Sequence, residues 1–223
     1  RRVGIGWEPQ LTISVDGVIS PTTMMELVEA FYAQSPPTRL KLHDGILSGT
    51  LEALTSGRAD LALGVAVNPG TVAGLQQELL GDMLFQFVVA PHHPLAAAPE
   101  PLTDTMLRQH RVIAVADSAQ RGGVTMGILG GQDVLTVDTM QAKIRAQLRG
   151  LGGGFLPESM VRPYIEAGRL VARQVARPER SVRVHYAWGG PGFSSPGRAL
   201  QWWLTQLQSA STRSALLENH HHF

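Results

Sequence analysis

The chain has 223 residues and a mass of 24.1 kDa, enough for one large domain or two small lobes with a substantial core. Lys and Arg number 19 against 18 Asp and Glu, and a formal net charge of +1 gives no excess to draw the whole molecule to nucleic acid or to an anionic membrane. There is no cysteine, which excludes disulfides, thiolate zinc sites, iron–sulfur clusters and a cysteine nucleophile, and fits a reducing cytosol. No apolar run approaches the ~18–20 residues of a membrane span, and the opening RRVGIGWEPQ lacks the apolar core of an export signal. A cytoplasmic location without membrane contact is therefore expected.

Leu11, Ile13 and Val15 alternate with Thr12, Ser14 and Asp16, the period-two pattern of a strand. Ser20-Pro21-Thr22 then opens a helix whose apolar face carries Met24, Leu27, Val28, Phe31 and Tyr32, and Ser35-Pro36-Pro37 stops it. Leu40 and Leu42 mark a second strand, and Ile46, Leu47, Leu51 and Leu54 a second helix ending at Ser56-Gly57. Leu61 to Val65 reads as a short buried third strand. Strand, helix, strand, helix, strand in this order implies parallel strands joined by right-handed crossovers, with any ligand placed outside their carboxyl ends.

Phe85 to Ala90 is the next apolar strand, ended by Pro91-His92-His93-Pro94, with Leu95 to Pro101 as an ordered loop or short linker. A second α/β series follows. Val112 to Ala116 and Val134 to Val137 read as strands, Thr139 to Arg149 as a helix, Gly154 to Leu156 as a very short strand and Pro157 to Ala167 as a helix. Val182 to Trp188 is a late strand, and Pro196 to Gln208 a terminal helix with Trp202, Trp203 and Leu207 toward its buried side. Two such series in one chain argue for two lobes. Residues 217–223, LENHHHF, resemble an expression tag and are set aside.

Three segments resemble a known family: Leu54-Thr55-Ser56-Gly57-Arg58-Ala59-Asp60-Leu61-Ala62-Leu63-Gly64, Pro91-His92-His93-Pro94-Leu95-Ala96, and Leu148-Arg149-Gly150-Leu151-Gly152-Gly153-Gly154-Phe155-Leu156-Pro157. With them the chain is similar, from Leu11 to Leu207, to the effector-binding domain of a LysR-type transcriptional regulator. The resemblance implies an α/β fold of two Rossmann-like lobes joined by two crossing strands, the fold of type 2 periplasmic binding proteins. It places the first lobe at 11–84 plus 185–210, the second at 85–184, and a remnant of a linker at 1–10. It also implies a homodimer or tetramer, no enzymatic activity, no cofactor or metal, and DNA contact only through a winged helix-turn-helix that these residues lack.

The family holds its small-molecule effector between the lobes. Carried over position by position, the first-lobe contacts fall on Asp16, Gly17, Val18, Ile19 and Ser20, on Gly45 and Ile46, and on Gly64, Val65 and Ala66. Those of the second lobe fall on Ser118 and Arg121, and on Asp138 and Thr139. Where many members place Ser or Thr, this chain has Asp16, whose charge facing a ligand would disfavour anions and suit a neutral or cationic molecule, aromatic or amino-acid-like. Asp16 equally suits a side chain that bonds backbone N–H groups in the next turn, Ser20 a helix cap, and Arg121 a solvated loop residue.

Other groupings have plainer readings. Gly150 to Gly154 lacks the Lys-Ser/Thr of a phosphate loop and suits a tight turn, while His92-His93 lacks partners at metal-ligand spacing. Ser118, Asp138 and His185 lack a nucleophile elbow, and Trp202-Trp203 suits helix packing. A solute-binding protein of a transport system shares the fold and is the alternative reading, since one fold serves several functions.

Overall fold

In the computed structural model the described residues are 6–66, 70, 72–119, 127–177 and 180–220. The chain begins with β1 (Gln10–Asp16), α1 (Pro21–Tyr32), β2 (Arg39–Gly45), α2 (Ser48–Thr55), β3 (Leu61–Val65) and a 15-residue β4 (Leu75–Val89). It continues through α3 (Asp104–Arg108), β5 (Val112–Val115), β6 (Val134–Val137), α4 (Met140–Leu148), β7 (Gly154–Pro157) and α5 (Glu158–Glu166). It ends with β8 (Val171–Arg173), β9 (Arg180–Gly189), α6 (Arg198–Leu207) and α7 (Ala210–Glu218).

The described residues form two compact units. The first takes the residues up to Gly81, Ser118 and Ala119, and those from Arg183 onward; the second takes Asp82–Asp117 and the described part of 127–182. The changes of unit at Gly81/Asp82 and Val182/Arg183 fall inside strands, β4 and β9. Ser118 and Ala119, expected in the second lobe, group with the first unit.

In the first unit β1 lies between β2 and β3, parallel to both, and β3 pairs antiparallel with β9. A bulge at Gly64 shifts the register, so that Leu63 faces Tyr186 while Val65 faces His185. One extra residue reverses the side-chain alternation. Ala62 and Val65 therefore both pack with Leu51 and Leu54 of α2 and with Ala187. Across α1, Phe31 has no exposed surface and its ring meets Trp202, Trp203 and Trp7 at 5.3, 6.0 and 6.4 Å. The two tryptophans pack the helix, as the sequence suggested.

Four features differ from the sequence reading. β4 starts at Leu75 rather than Phe85, because its first half carries exposed Gln76, Gln77 and Glu78 and gives no apolar run. The three-residue β8 and five-residue α3 are too short for periodicity to show. α7 was not read, since Ala210–Leu216 shows no clear apolar periodicity and only its last two residues fall in the 217–223 segment set aside, yet Leu216 and Leu217 are 0% and 3% exposed. Carbonyls at its C-terminal end, where helical N–H partners run out, meet donors at the start of α1. Leu216 O accepts from Ser20 N–H at 2.7 Å, Ala215 O from the Thr23 hydroxyl at 3.1 Å, and Asn219 O from the Ser20 hydroxyl. Residues 221–223 lie outside the described residues.

In the second unit β4 pairs antiparallel with β7 and β8, and β5 runs parallel to β6. The glycine run explains how β5 comes beside β7. A Cβ at Gly152 would meet Arg111 O at 2.5 Å, one at Gly153 would meet the Phe87 ring at 2.5 Å, and one at Gly154 would meet Gln147 Oε1 at 2.9 Å. These are close-packing glycines, consistent with the turn reading rather than a phosphate loop.

If α7 is part of the first unit's core, Leu216→Ala should cost about 2–5 kcal/mol of unfolding free energy in a urea titration. An unchanged midpoint would show that the helix is peripheral.

Candidate functional site

β1, β2 and β3 deliver Asp16, Gly45 and Val65 to one end of the first unit's sheet. Asp16 is 7% exposed and its carboxylate is fully engaged. Oδ1 accepts from Val18 N–H at 3.0 Å, and Oδ2 accepts from Leu47 N–H at 3.1 Å and from the Thr50 hydroxyl at 2.7 Å. The turn-bonding alternative for Asp16 is thus the one observed, extended by two donors that lie 31 and 34 residues away. Any ligand meets the field of this carboxylate rather than a free oxygen.

Leu47, at the entry to α2, has φ 54° and ψ −128°, a left-handed conformation that favours glycine. Such strain costs of order 1–3 kcal/mol and persists only where neighbours impose it. Asp16 holds its N–H, and the preceding residue is held from the other side. Ile46 N–H donates to Ser118 Oγ at 2.8 Å, while Ser118 N–H donates to Ile46 O at 3.2 Å. Gly49 is needed here, since a Cβ at that position would meet Ala119 N at 2.6 Å. Gly64, with φ +96°, is required for a similar reason: its Cβ would lie 2.6 Å from Asp16 Cβ.

Asp16, Gly17, Gly45, Ile46, Gly64 and Ser118 are therefore brought together; Gly17 N–H donates to Gly45 O at 3.1 Å, and Ile19 borders Gly64. Two other expected contacts, Ser20 and Val65, have different surroundings. Ser20 has no exposed surface and caps α1, accepting from Thr23 N–H at 3.1 Å. Val65 is 0% exposed and belongs to the core under α2. Val18 is half-buried and Ala66 exposed beside this cluster. Leu47, Thr50 and Gly49 were not anticipated, because neither a strained backbone nor a bond across 34 residues leaves a local signature.

In the second unit Asp138 and Thr139 are exposed at the start of α4, where the Thr139 hydroxyl caps the helix by accepting from Ala142 N–H at 3.0 Å. Arg121 lies outside the described residues. One turn into α4, Lys143 donates to Phe155 O at 2.6 Å and is deeply buried. Burial, with the Arg180 charge nearby, pushes its ammonium down to about 8. His92 and His93 are used locally: His92 Nε2 lies 3.1 Å from Arg149 O, and His93 Nδ1 accepts from Leu95 N–H at 3.0 Å. Burial first, then the neighbouring His110 and His92, holds His93 below the usual imidazole range.

The strand-end cluster is a rigid frame in which the Asp16 carboxylate and the Ser118 hydroxyl are both bonded to the scaffold. An α/β protein with such groups at the carboxyl ends of parallel strands falls in the class of binding-protein folds. The chain belongs to the LysR substrate binding domain family, whose model matches residues 5–212.

The chain is 36% identical over 207 residues to YeeY of Escherichia coli, described as an uncharacterized HTH-type transcriptional regulator, covering 92% of this chain and 66% of that protein. It thus spans slightly less than two thirds of that relative. Among solved structures, the regulatory domain of MetR, a LysR family regulator from N. meningitidis, superposes with a TM-score of 0.65 at 19% identity, covering 92% of this chain and 93% of that one. Full-length LysG from Corynebacterium glutamicum with bound effector Arg gives 0.66 at 20% identity, covering 92% and 68%. At these identities the likeness is one of fold, that of type 2 periplasmic binding proteins.

Asp16→Asn should destabilise the protein by about 1–3 kcal/mol, because an amide turns an N–H toward donors that need an acceptor; denaturant unfolding measures it. For Lys143 the folded value lies below the unfolded 10.5, so the folded state binds fewer protons between them and stability rises as pH climbs from about 8 to 10.5. Relative to Lys143→Met, the parent protein should gain no more than about 3 kcal/mol over that interval in urea titrations at stepped pH. Parallel pH profiles would contradict the burial penalty.

Proposed function

We propose that this domain senses a small-molecule effector at the strand-end cluster and passes the signal to DNA binding by an N-terminal segment of a longer protein. The observation that carries the reading is the convergence of Asp16, Gly45, Ile46 and Gly64 at the ends of β1–β3, in a chain of the LysR substrate binding domain family. Support comes also from relatives named as HTH-type transcriptional regulators and from the fold shared with LysG, which holds arginine. The domain acts by binding and is not an enzyme. It works in the cytoplasm as a homodimer or tetramer, and Met25 and Tyr32, 53% and 52% exposed on α1, give apolar surface for self-association. Among the described residues no helix is long and apolar enough to cross a membrane.

The buried charge of Asp16 disfavours a ligand carboxylate at the strand ends and favours an amine or hydroxyl there. The effector is accordingly neutral or carries an amine, as an amino-acid-like or aromatic molecule does. A ligand at 100 times its Kd stabilises the state it binds by about 2.7 kcal/mol. A thermal-shift screen of amino acids, amines, neutral aromatics and dicarboxylates should raise the Tm with the first three classes alone. Gly64→Ala, which pushes against Asp16, should remove the shift. Stabilisation by dicarboxylates in preference would refute the assignment.

A further inference from the structure

A second place for a ligand lies wholly within the second unit. A cavity of about 470 Å³, in the size range of small-molecule sites, opens against β4, β7 and β8. Phe85, Phe87 and Phe155 give it an aromatic wall, with the rings of Phe87 and Phe155 edge to face at 5.5 Å. Arg173, Arg177 and Arg180 line it with one acid, Glu100.

The three guanidiniums are not equally committed. Arg177 is held by Asp104 at 2.9 Å. Arg173 meets Glu100 at 3.1 Å and donates to Ala98 O, but its buried Nε has no acceptor among the described residues. Arg180 stands 5.2 Å over the Phe155 ring and has no hydrogen-bonding or acidic partner among the described residues. Arg173 is paired with Phe87 across β8 and β4, and Phe87 with Phe155 across β4 and β7. The two under-used arginines thus flank one pair of aromatic rings, and among the described residues the lining carries three cations against one anion.

We propose that this cavity binds an aromatic carboxylate, its ring packed on Phe87 and Phe155 and its carboxylate taken by the Arg180 guanidinium, with Arg173 adding to the positive field. Guanidinium is suited to that role because it bonds a carboxylate with directed, charge-assisted donors while remaining stacked on a ring. The site does not rest on the strand-end cluster of the first unit, which contributes no residue to it.

Calorimetric titration of the intact chain with 2-naphthoate and with uncharged 2-naphthamide tests the charge requirement. The amide should bind at least about tenfold more weakly, the loss of a charge-assisted contact. Arg180→Gln should weaken 2-naphthoate at least about tenfold and Arg180→Lys less, both folding normally by circular dichroism because Arg180 rests only on a ring face. Amide chemical-shift changes on adding 2-naphthoate should centre on Phe87, Phe155 and Arg173. The proposal is overturned by no binding of 2-naphthoate, by equal affinity for the amide, by an unaltered Arg180→Gln variant, or by shifts centred on Asp16, Gly45 and Ile46. The comparison of the two probes needs no variant, so a misfolded substitution would not shelter the idea.

Discussion

The carboxylate of Asp16 is the constraint on which the first unit's strand ends depend. A buried carboxylate is costly unless its lone pairs are matched, and here three donors from two pieces of chain match them: Val18 N–H after β1, and Leu47 N–H and the Thr50 hydroxyl at the start of α2. The same oxygen that takes the Thr50 hydroxyl also fixes the N–H of Leu47, a residue in a conformation that its Cβ opposes. Bonds to an ionised acceptor are about twice as strong as neutral ones, which is enough to offset that strain. The consequences spread to β3, where the closeness of Asp16 requires glycine at 64, and the bulge there lets both Ala62 and Val65 reach the core under α2.

The three segments that carried the family resemblance are largely scaffolding. Gly57, with φ +79°, ends α2, and Asp60 clamps the start of β1 by accepting from Thr12 N–H at 2.7 Å while donating its own N–H to Thr12 O at 2.8 Å. His93 caps the turn at Pro94, and Gly152 to Gly154 let β7 lie close to its neighbours. Such motifs are legible because they solve local backbone problems with particular residue types. They announce a fold, and with it the place where a ligand belongs, more directly than the ligand itself.

Legibility failed where the determinant was distant or spread out. β1, α1, α2 and β3 declared themselves through the apolar patterning of their sequence, but half of β4 is exposed and reads as polar chain. The partnership of Asp16 with Thr50 crosses 34 residues, so the sequence could offer only two roles for the acid. Lys143 gave no warning either: a lysine in an otherwise ordinary helix is buried because Gly154 leaves space beside its stem, a Cβ there coming within 3.0 Å of Lys143 Cε. The cationic cavity of the second unit was equally hidden, since its arginines lie on β8, on β9 and in the stretch joining them.

The turn at Ile46–Leu47 also bears on the effector proposed for the strand ends. Ser118 satisfies both the N–H and the carbonyl of Ile46, and Asp16 satisfies the N–H of Leu47. A ligand that displaces Ser118 leaves a donor and an acceptor to be matched at once, and a buried polar group left unmatched costs about 1–3 kcal/mol. A hydrocarbon cannot meet that demand, and a simple dicarboxylate offers acceptors only. A molecule carrying both an amine or hydroxyl and a carbonyl would offer both kinds of partner that Ser118 supplies. In the sensing role proposed above, paired hydrogen-bonding character would thus count alongside charge, because Ser118 meets both groups of Ile46 while Asp16 keeps the strained Leu47 in place.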